Sequence, residues 1–196
     1  LCVLICTHNR EQLLLRTLRH IFSAKRPPGW RVCIHVVANA CSDNTVGALD
    51  IHKRENPDTG IDLNWSEQPI AGKSHALNKA IPEIEADLIA FVDDDHRVDS
   101  EYLVNACMAA EDHPDTSLFC GRILPDWTGS EPAWVHDSGP YRIFPLPVPC
   151  LDQGNKTKAL TPDIAVPGGG NLVLRTDLFK MVGEFSTSLG PTGHNL

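Results

Sequence analysis

Apolar and polar positions change period repeatedly along the first hundred residues. Residues 1–6 form a short apolar run that ends in the polar Thr7-His8-Asn9. Leu14, Leu18 and Ile21 then recur at helical spacing, with Asn9 placed to cap that helix. Pro27-Pro28-Gly29 closes the unit. Residues 32–37 are rich in β-branched side chains and predict a second strand. A helix over about 43–54 and a third strand at 61–65 follow. Residues 74–81 predict another helix, with Ala76, Leu77, Ala80 and Ile81 on one side. The apolar run 88–92 predicts a fourth strand, and Ser100 is placed to cap a helix carrying Leu103, Val104 and Cys107. A fifth strand is expected at 118–123. Strands alternating with helices imply an α/β fold with a mostly parallel sheet, covered on both faces.

Beyond position 124 the pattern breaks. Prolines at 125, 132, 140, 145, 147, 149, 162 and 167 crowd a stretch that also carries Trp127, Trp134 and Tyr141. Such a stretch reads as ordered loops in which the tryptophans either pack or stack on a sugar face. Regular structure is expected again from residues 168–174, and Thr176 is placed to cap a short helix that Gly183 ends.

In sheets of this kind ligands sit beyond the carboxyl ends of the strands. Three polar clusters fall there: Thr7-His8-Asn9-Arg10, the run 39–43, and Asp93-Asp94-Asp95. They are expected to converge. The aspartate triplet is the densest charge in the chain, and hard divalent cations take oxygen ligands of this kind. It reads as a metal and phosphate site, or else as a solvated turn in which Asp95 or Asp99 leads into a helix.

A net charge of −8 argues against nonspecific binding to nucleic acid. At 196 residues one domain is expected. No apolar stretch is long enough to span a bilayer. The chain opens at Leu1 and stops at Leu196 inside a glycine-rich segment, so it is expected to be a piece of a longer protein. Seven cysteines without a Cys-x-x-Cys pair suggest buried free thiols and a reducing, cytoplasmic setting. Gly72-Lys73-Ser74 lacks the upstream glycine of a phosphate loop, since position 67 is Glu67. Gly72 opening a helix still suits a phosphate, with Lys73 adding charge, or else simply caps the helix. Gly168-Gly169-Gly170-Asn171 permits a close backbone approach to a ligand, or a tight turn before a strand. His96 and His194 are further candidates as metal ligands. A covalent hydrolase is disfavoured, because no Gly-x-Ser-x-Gly elbow is present.

These segments, in this order, resemble the family 2 glycosyltransferases, inverting enzymes with the GT-A fold. The residues carrying the resemblance are Cys6-Thr7-His8-Asn9-Arg10, the run 39–45, the run 72–81, Phe91-Val92-Asp93-Asp94-Asp95, and the segment 168–185 with its Gly-Gly-Asn and Val182-Gly183-Glu184-Phe185. The resemblance implies a three-layer sandwich, with residues 1–123 as a nucleotide-sugar-binding half and 124–196 as an incomplete acceptor-side half. It implies a nucleoside-diphosphate sugar as donor, met by Thr7, Asn9, Arg10, Asn39, Lys73, Asp93 and Asp94. It implies Mn²⁺ or Mg²⁺ held by Asp95, with Asp93 as a second contact. The acceptor is expected to be a glycan or a lipid-linked hydroxyl, and the location cytoplasmic, at the cytoplasmic face of a membrane reached through segments outside this chain. Ala38 and Asn39 stand where many relatives carry an acid at one or the other position, and Leu77 where many carry arginine. The catalytic base is expected beyond Leu196, after the glycine-rich 190–194, so no residue is named for it. Two other readings stay open: a sugar-phosphate nucleotidyltransferase and a noncatalytic sugar-nucleotide or glycan-binding domain.

Overall fold

A computed structural model describes residues 1–57, 59–132, 135, 148–152, 154–160 and 168–189. Trp134, Tyr141, the prolines at 140, 145, 147, 162 and 167, and the stretch 190–194 with His194 lie outside the described residues. The elements run β1 (Cys2–Thr7), α1 (Glu11–Ser23), β2 (Cys33–Asn39), α2 (Thr45–Glu55), β3 (Asp62–Gln68), α3 (Lys73–Ala80), β4 (Leu88–Val92), α4 (Tyr102–Asp112), β5 (Leu118–Cys120), β6 (Asn171–Arg175) and α5 (Leu178–Val182). A single 3-10 turn, Ile81–Glu83, follows α3, where Pro82 ends the α-helical bonding.

The six strands form one sheet in the order β3-β2-β1-β4-β6-β5. β3, β2, β1 and β4 are parallel, and β6 runs antiparallel to both β4 and β5. The later part of the chain is therefore threaded into the earlier part, since β6 separates β4 from β5. Helices cover both faces and make three layers. On one face Leu14, Leu18 and Ile21 of α1, Leu49 of α2, and Leu103, Ala106, Cys107 and Ala110 of α4 bury against Val3, Ile5, Ile34 and Val36. On the other, Ala76, Leu77 and Ala80 of α3 pack on Leu4, Val37, Ile89 and Phe91, with Leu178 and Phe179 of α5 at the margin. Full burial of each large aliphatic side chain contributes about 1.5–3 kcal/mol. All five residues of β4 are buried, so the chain leaves the core at Asp93.

Several predicted details differ from what is observed. Asn9 does not cap α1. It sits at φ 54°, and its side-chain oxygen accepts the Ser42 and Asp43 N–H groups at 2.7 and 3.2 Å. Asp43 instead accepts the Glu11 N–H at 3.3 Å, so α1 is capped across the loop by a neighbour that sequence spacing could not reveal. Ser100 is not the cap of α4. Asp99 accepts the Glu101 N–H at 2.8 Å, the short-range turn an aspartate side chain favours. Thr176 donates its hydroxyl to Ala86 O rather than capping α5. The fifth strand stops at Cys120; past it the Gly121 N–H still bonds to Asn171 O at 3.1 Å, and the Asn171 amide donates to Arg122 O at 2.8 Å. Ile123 pairs instead with Leu151. Gly183, at φ 77°, does end α5. All seven cysteines are free, Cys2 and Cys107 buried, Cys6 and Cys33 half-buried.

Candidate active site

The three predicted clusters meet where β1, β2 and β4 end. Thr7, the last residue of β1, donates its hydroxyl to Asp94 Oδ2 at 2.6 Å. Arg10, one turn of loop further on, places Nη1 3.2 Å from Asp94 Oδ1 and 3.4 Å from Asp95 Oδ2. Thr7 and Asp94 are only 2% and 4% exposed. Burial pushes the Asp94 carboxyl above its ordinary range, and the Thr7 hydroxyl and the Arg10 guanidinium oppose that rise. On the opposite side of the triplet, Lys73 Nζ lies 2.5 Å from Asp93 Oδ1. The charge knot is thus flanked by two cations from different elements, α3 and the β1–α1 loop.

The backbone around the triplet is pinned from behind. The Thr17 hydroxyl, fully buried on α1, lies 2.9 Å from Asp94 O and 2.8 Å from His96 O, so one proton is shared between two carbonyls. His96 Nδ1 donates to Gly170 O at 3.0 Å, since a carbonyl only accepts, and Nε2 stands 3.8 Å from Asp93 Oδ2. A Cβ at Gly170 would sit 2.2 Å from His96 Cε1 and 2.5 Å from Asp93 Oδ2. The glycine run therefore does serve close approach, but to the triplet itself, just before β6 begins.

The β2 end is held equally firmly. Asn39 Oδ1 accepts the Gly72 N–H at 2.8 Å, and its Nδ2 lies 3.0 Å from Gln68 O and 2.6 Å from Ile70 O. Its amide braces the loop that turns, at Gly72 (φ 136°), into α3 and Lys73. The Gly72 N–H is consequently taken and not offered outward. Asn9 and Asp43 lock the adjacent loops to each other. Asp43 is held below the ordinary carboxylate value. Partial burial alone would raise it, but bonds from the Thr45 hydroxyl, the Thr45 N–H and the Glu11 N–H outweigh that. Cys41 Sγ faces the Asn9 N–H at 3.4 Å between the same loops. Trp127 is half-buried.

Thr7, Asn9, Arg10, Asn39, Lys73, Asp93, Asp94 and Asp95 are thus all brought to one end of the sheet. Thr17, Asp43 and Gly170 support them; Asp43 and Gly170 lay within the polar run and the glycine run already marked in the sequence, and Thr17 was not singled out. Thr17 left a trace in sequence, as the one hydroxyl inside the apolar stripe Leu14, Leu18, Ile21, where a buried donor must find a partner.

Whether these residues suit a divalent cation can be tested on charge and donor type. Three carboxylates face two cations, which leaves the ionised cluster at −1, and a diphosphate would add more negative charge. The donors are hard oxygens, and the Asp95 side chain is 45% exposed. Among the described residues no group of three or more His, Cys, Asp or Glu is arranged to hold a metal. Asp95 and Asp93 supply the hard-oxygen donors Mg²⁺ or Mn²⁺ takes, one or two carboxylates with phosphate oxygens and water completing the shell.

A mostly parallel, doubly covered sheet with its polar residues gathered at the strand ends defines an α/β domain of the nucleotide-binding kind. The chain belongs to glycosyl transferase family 2, whose family model matches residues 2–183. It is 25% identical over 122 residues to the glucosyl-dolichyl phosphate glucuronosyltransferase of Haloferax volcanii, an alignment covering 62% of this chain and 37% of that protein. The fold is shared with the mannosyltransferase PcManGT of Pyrobaculum calidifontis in complex with GDP-Man and Mn²⁺ (TM-score 0.68, 22% identity, 96% of this chain and 48% of that one). It is shared also with S. aureus TarS 1-349 in complex with UDP-GlcNAc (TM-score 0.61, 17% identity, 92% and 46%). The chain spans about half the length or less of these proteins. Among the described residues no helix is long and apolar enough to cross a membrane.

Proposed function

We propose that this chain is the donor-binding domain of a metal-dependent, inverting glycosyltransferase. It moves a sugar from a nucleoside-diphosphate sugar to a hydroxyl of a glycan, polysaccharide or lipid-linked acceptor. The observation that carries the reading is the convergence of Arg10 and Lys73 on the Asp93-Asp94-Asp95 triplet at the carboxyl end of β4. The family membership and the donor complexes of the two solved relatives support it.

In this reading Arg10 and Lys73 flank the diphosphate, and Asp95 holds Mn²⁺ or Mg²⁺ with Asp93 as its neighbour. Asp94 faces the ribose or diphosphate and aims Arg10, while the Thr7 hydroxyl offsets part of the cost of a charge there. Asn9 and Asn39 shape the nucleotide side by fixing the two loops that border it. The bound cation would neutralise charge developing on the departing nucleoside diphosphate. Arg10 and Lys73 add fixed positive charge at the same place, oriented before reaction. The acceptor oxygen attacks the anomeric carbon opposite the leaving group, so configuration inverts, and its proton passes to a base. The reaction belongs on the cytoplasmic side, where free thiols persist.

The test is product release from a panel of sugar nucleotides with Mn²⁺ and candidate acceptors. Nucleoside diphosphate is expected, and it should be lost in Asp95→Ala. Pyrophosphate from a nucleoside triphosphate would indicate a nucleotidyltransferase, and binding without any turnover by the full-length protein would indicate a noncatalytic domain.

A further inference from the structure

α3 carries the Lys73 contact to Asp93 at its first residue, and a second, separate task along its exposed side. Asn78 Nδ2 donates to Phe185 O at 2.8 Å, and the Phe185 N–H donates to Asn78 Oδ1 at 2.8 Å. One amide side chain thus satisfies both backbone groups of one residue, as a neighbouring strand would. One helical turn earlier, the Ser74 hydroxyl lies 3.4 Å from Leu189 O. Positions 78 and 74 therefore meet 185 and 189, so the strap of residues 183–189 runs antiparallel to α3, toward its amino end. Gly183 turns the chain out of α5 with φ 77°, a conformation glycine adopts without a Cβ clash. The Phe185 ring packs edge-on to Phe91 at 6.3 Å and tilted against Phe179 at 6.0 Å. Leu189 thus lies beside Ser74, the chain neighbour of Lys73, which pairs with Asp93.

We propose that Asn78 is a positioning residue for glycosyl transfer: its paired bonds to Phe185 hold the strap 183–189 along α3 and bring it alongside Ser74 and Lys73, at the edge of the diphosphate site. The proposal rests on the glycosyltransferase reading for its chemistry. The clamp acts on the strap and leaves the donor contacts untouched, since neither Asn78 nor Phe185 bonds to Arg10, Lys73 or the triplet. Alanine removes both bonds. Aspartate keeps an acceptor for the Phe185 N–H but loses the donor to Phe185 O.

The experiment compares wild-type, Asn78→Ala and Asn78→Asp full-length protein by three measurements. In hydrogen exchange, Asn78→Ala should accelerate the Phe185 amide at least tenfold. Affinity for UDP and GDP with Mn²⁺ should stay within twofold, which also shows that the variant folds. Turnover should fall at least tenfold in kcat with donor KM unchanged, and Asn78→Asp should recover part of both the protection and the rate. Unchanged exchange, an unchanged kcat, or an equal loss of nucleotide affinity would each overturn the proposal alone. A wild-type protein that binds neither nucleotide would overturn the glycosyltransferase reading, and the positioning role with it.

Discussion

Thr7→Val isolates the bond that opposes the cost of burying a charge on Asp94. Valine preserves the volume and branching of threonine and removes only the hydroxyl. The bond lost is 2.6 Å long and joins two groups that are 2% and 4% exposed. A hydrogen bond to a charged group contributes about 1.5–3 kcal/mol, more so where the acceptor has no water to replace it. We therefore expect a loss of about 2 kcal/mol at pH 8, or about 4–8 °C in Tm for a chain of this size. The loss should depend on pH in a definite direction. Asp94 already binds its proton more tightly folded than unfolded, because burial outweighs Thr7 and Arg10. Its proton-linked contribution is therefore fully present below the ordinary value of 3.8 and is lost as pH rises through the folded value. Removing the Thr7 hydroxyl raises the folded value further, so the penalty should be smallest in acid and full at neutral pH. Urea denaturation of wild type, Thr7→Val, Asp94→Asn and the double variant from pH 4.5 to 8 measures this. Additive single losses in the double variant, or an equal loss at every pH, would refute the reasoning.

Further expectations follow from the same geometry. Gly170→Ala introduces a Cβ 2.2 Å from His96 Cε1; it should cost about 1–3 kcal/mol in urea denaturation and weaken nucleotide binding through the displaced Asp93. Asp43→Ala removes the acceptor for Glu11 and Thr45 and should destabilise by about 0.5–2 kcal/mol. Because the Asp43 carboxyl is held low when folded, its contribution is present above 3.8 and lost as pH falls through the folded value, so this variant should show a flatter acid limb in a pH–Tm profile. Lys73→Met should lower nucleoside-diphosphate affinity about tenfold in calorimetry while leaving Tm within 3 °C, since its bond to Asp93 is part-exposed.

What could be seen in the sequence was whatever depends on local period and strand order. The fully apolar run of β4 followed by three aspartates located the site, and alternation of strands with helices located the ends at which its partners would gather. The lost details depend on contacts between segments far apart in sequence. Asn9 and Asp43 exchange capping duties across 34 positions. β6 enters the sheet between β4 and β5 after a gap of fifty residues, which no periodicity encodes. Asn39 stood in the sequence only as a polar residue at a strand end, and its amide is turned inward onto Gln68, Ile70 and Gly72. The glycine at 170 was legible as a place of close approach, but which groups approach could be told only from the position of His96 and Asp93.

The central claim is that the triplet, Arg10 and Lys73 form a diphosphate site completed by a divalent cation. Isothermal calorimetry of UDP and GDP against wild type and Asp95→Ala, each with Mn²⁺ and with chelator, tests it directly. The account predicts binding by wild type that requires the cation and falls at least tenfold both in chelator and in Asp95→Ala. Equal binding with and without Mn²⁺, or no binding of either nucleotide by wild type, would contradict it.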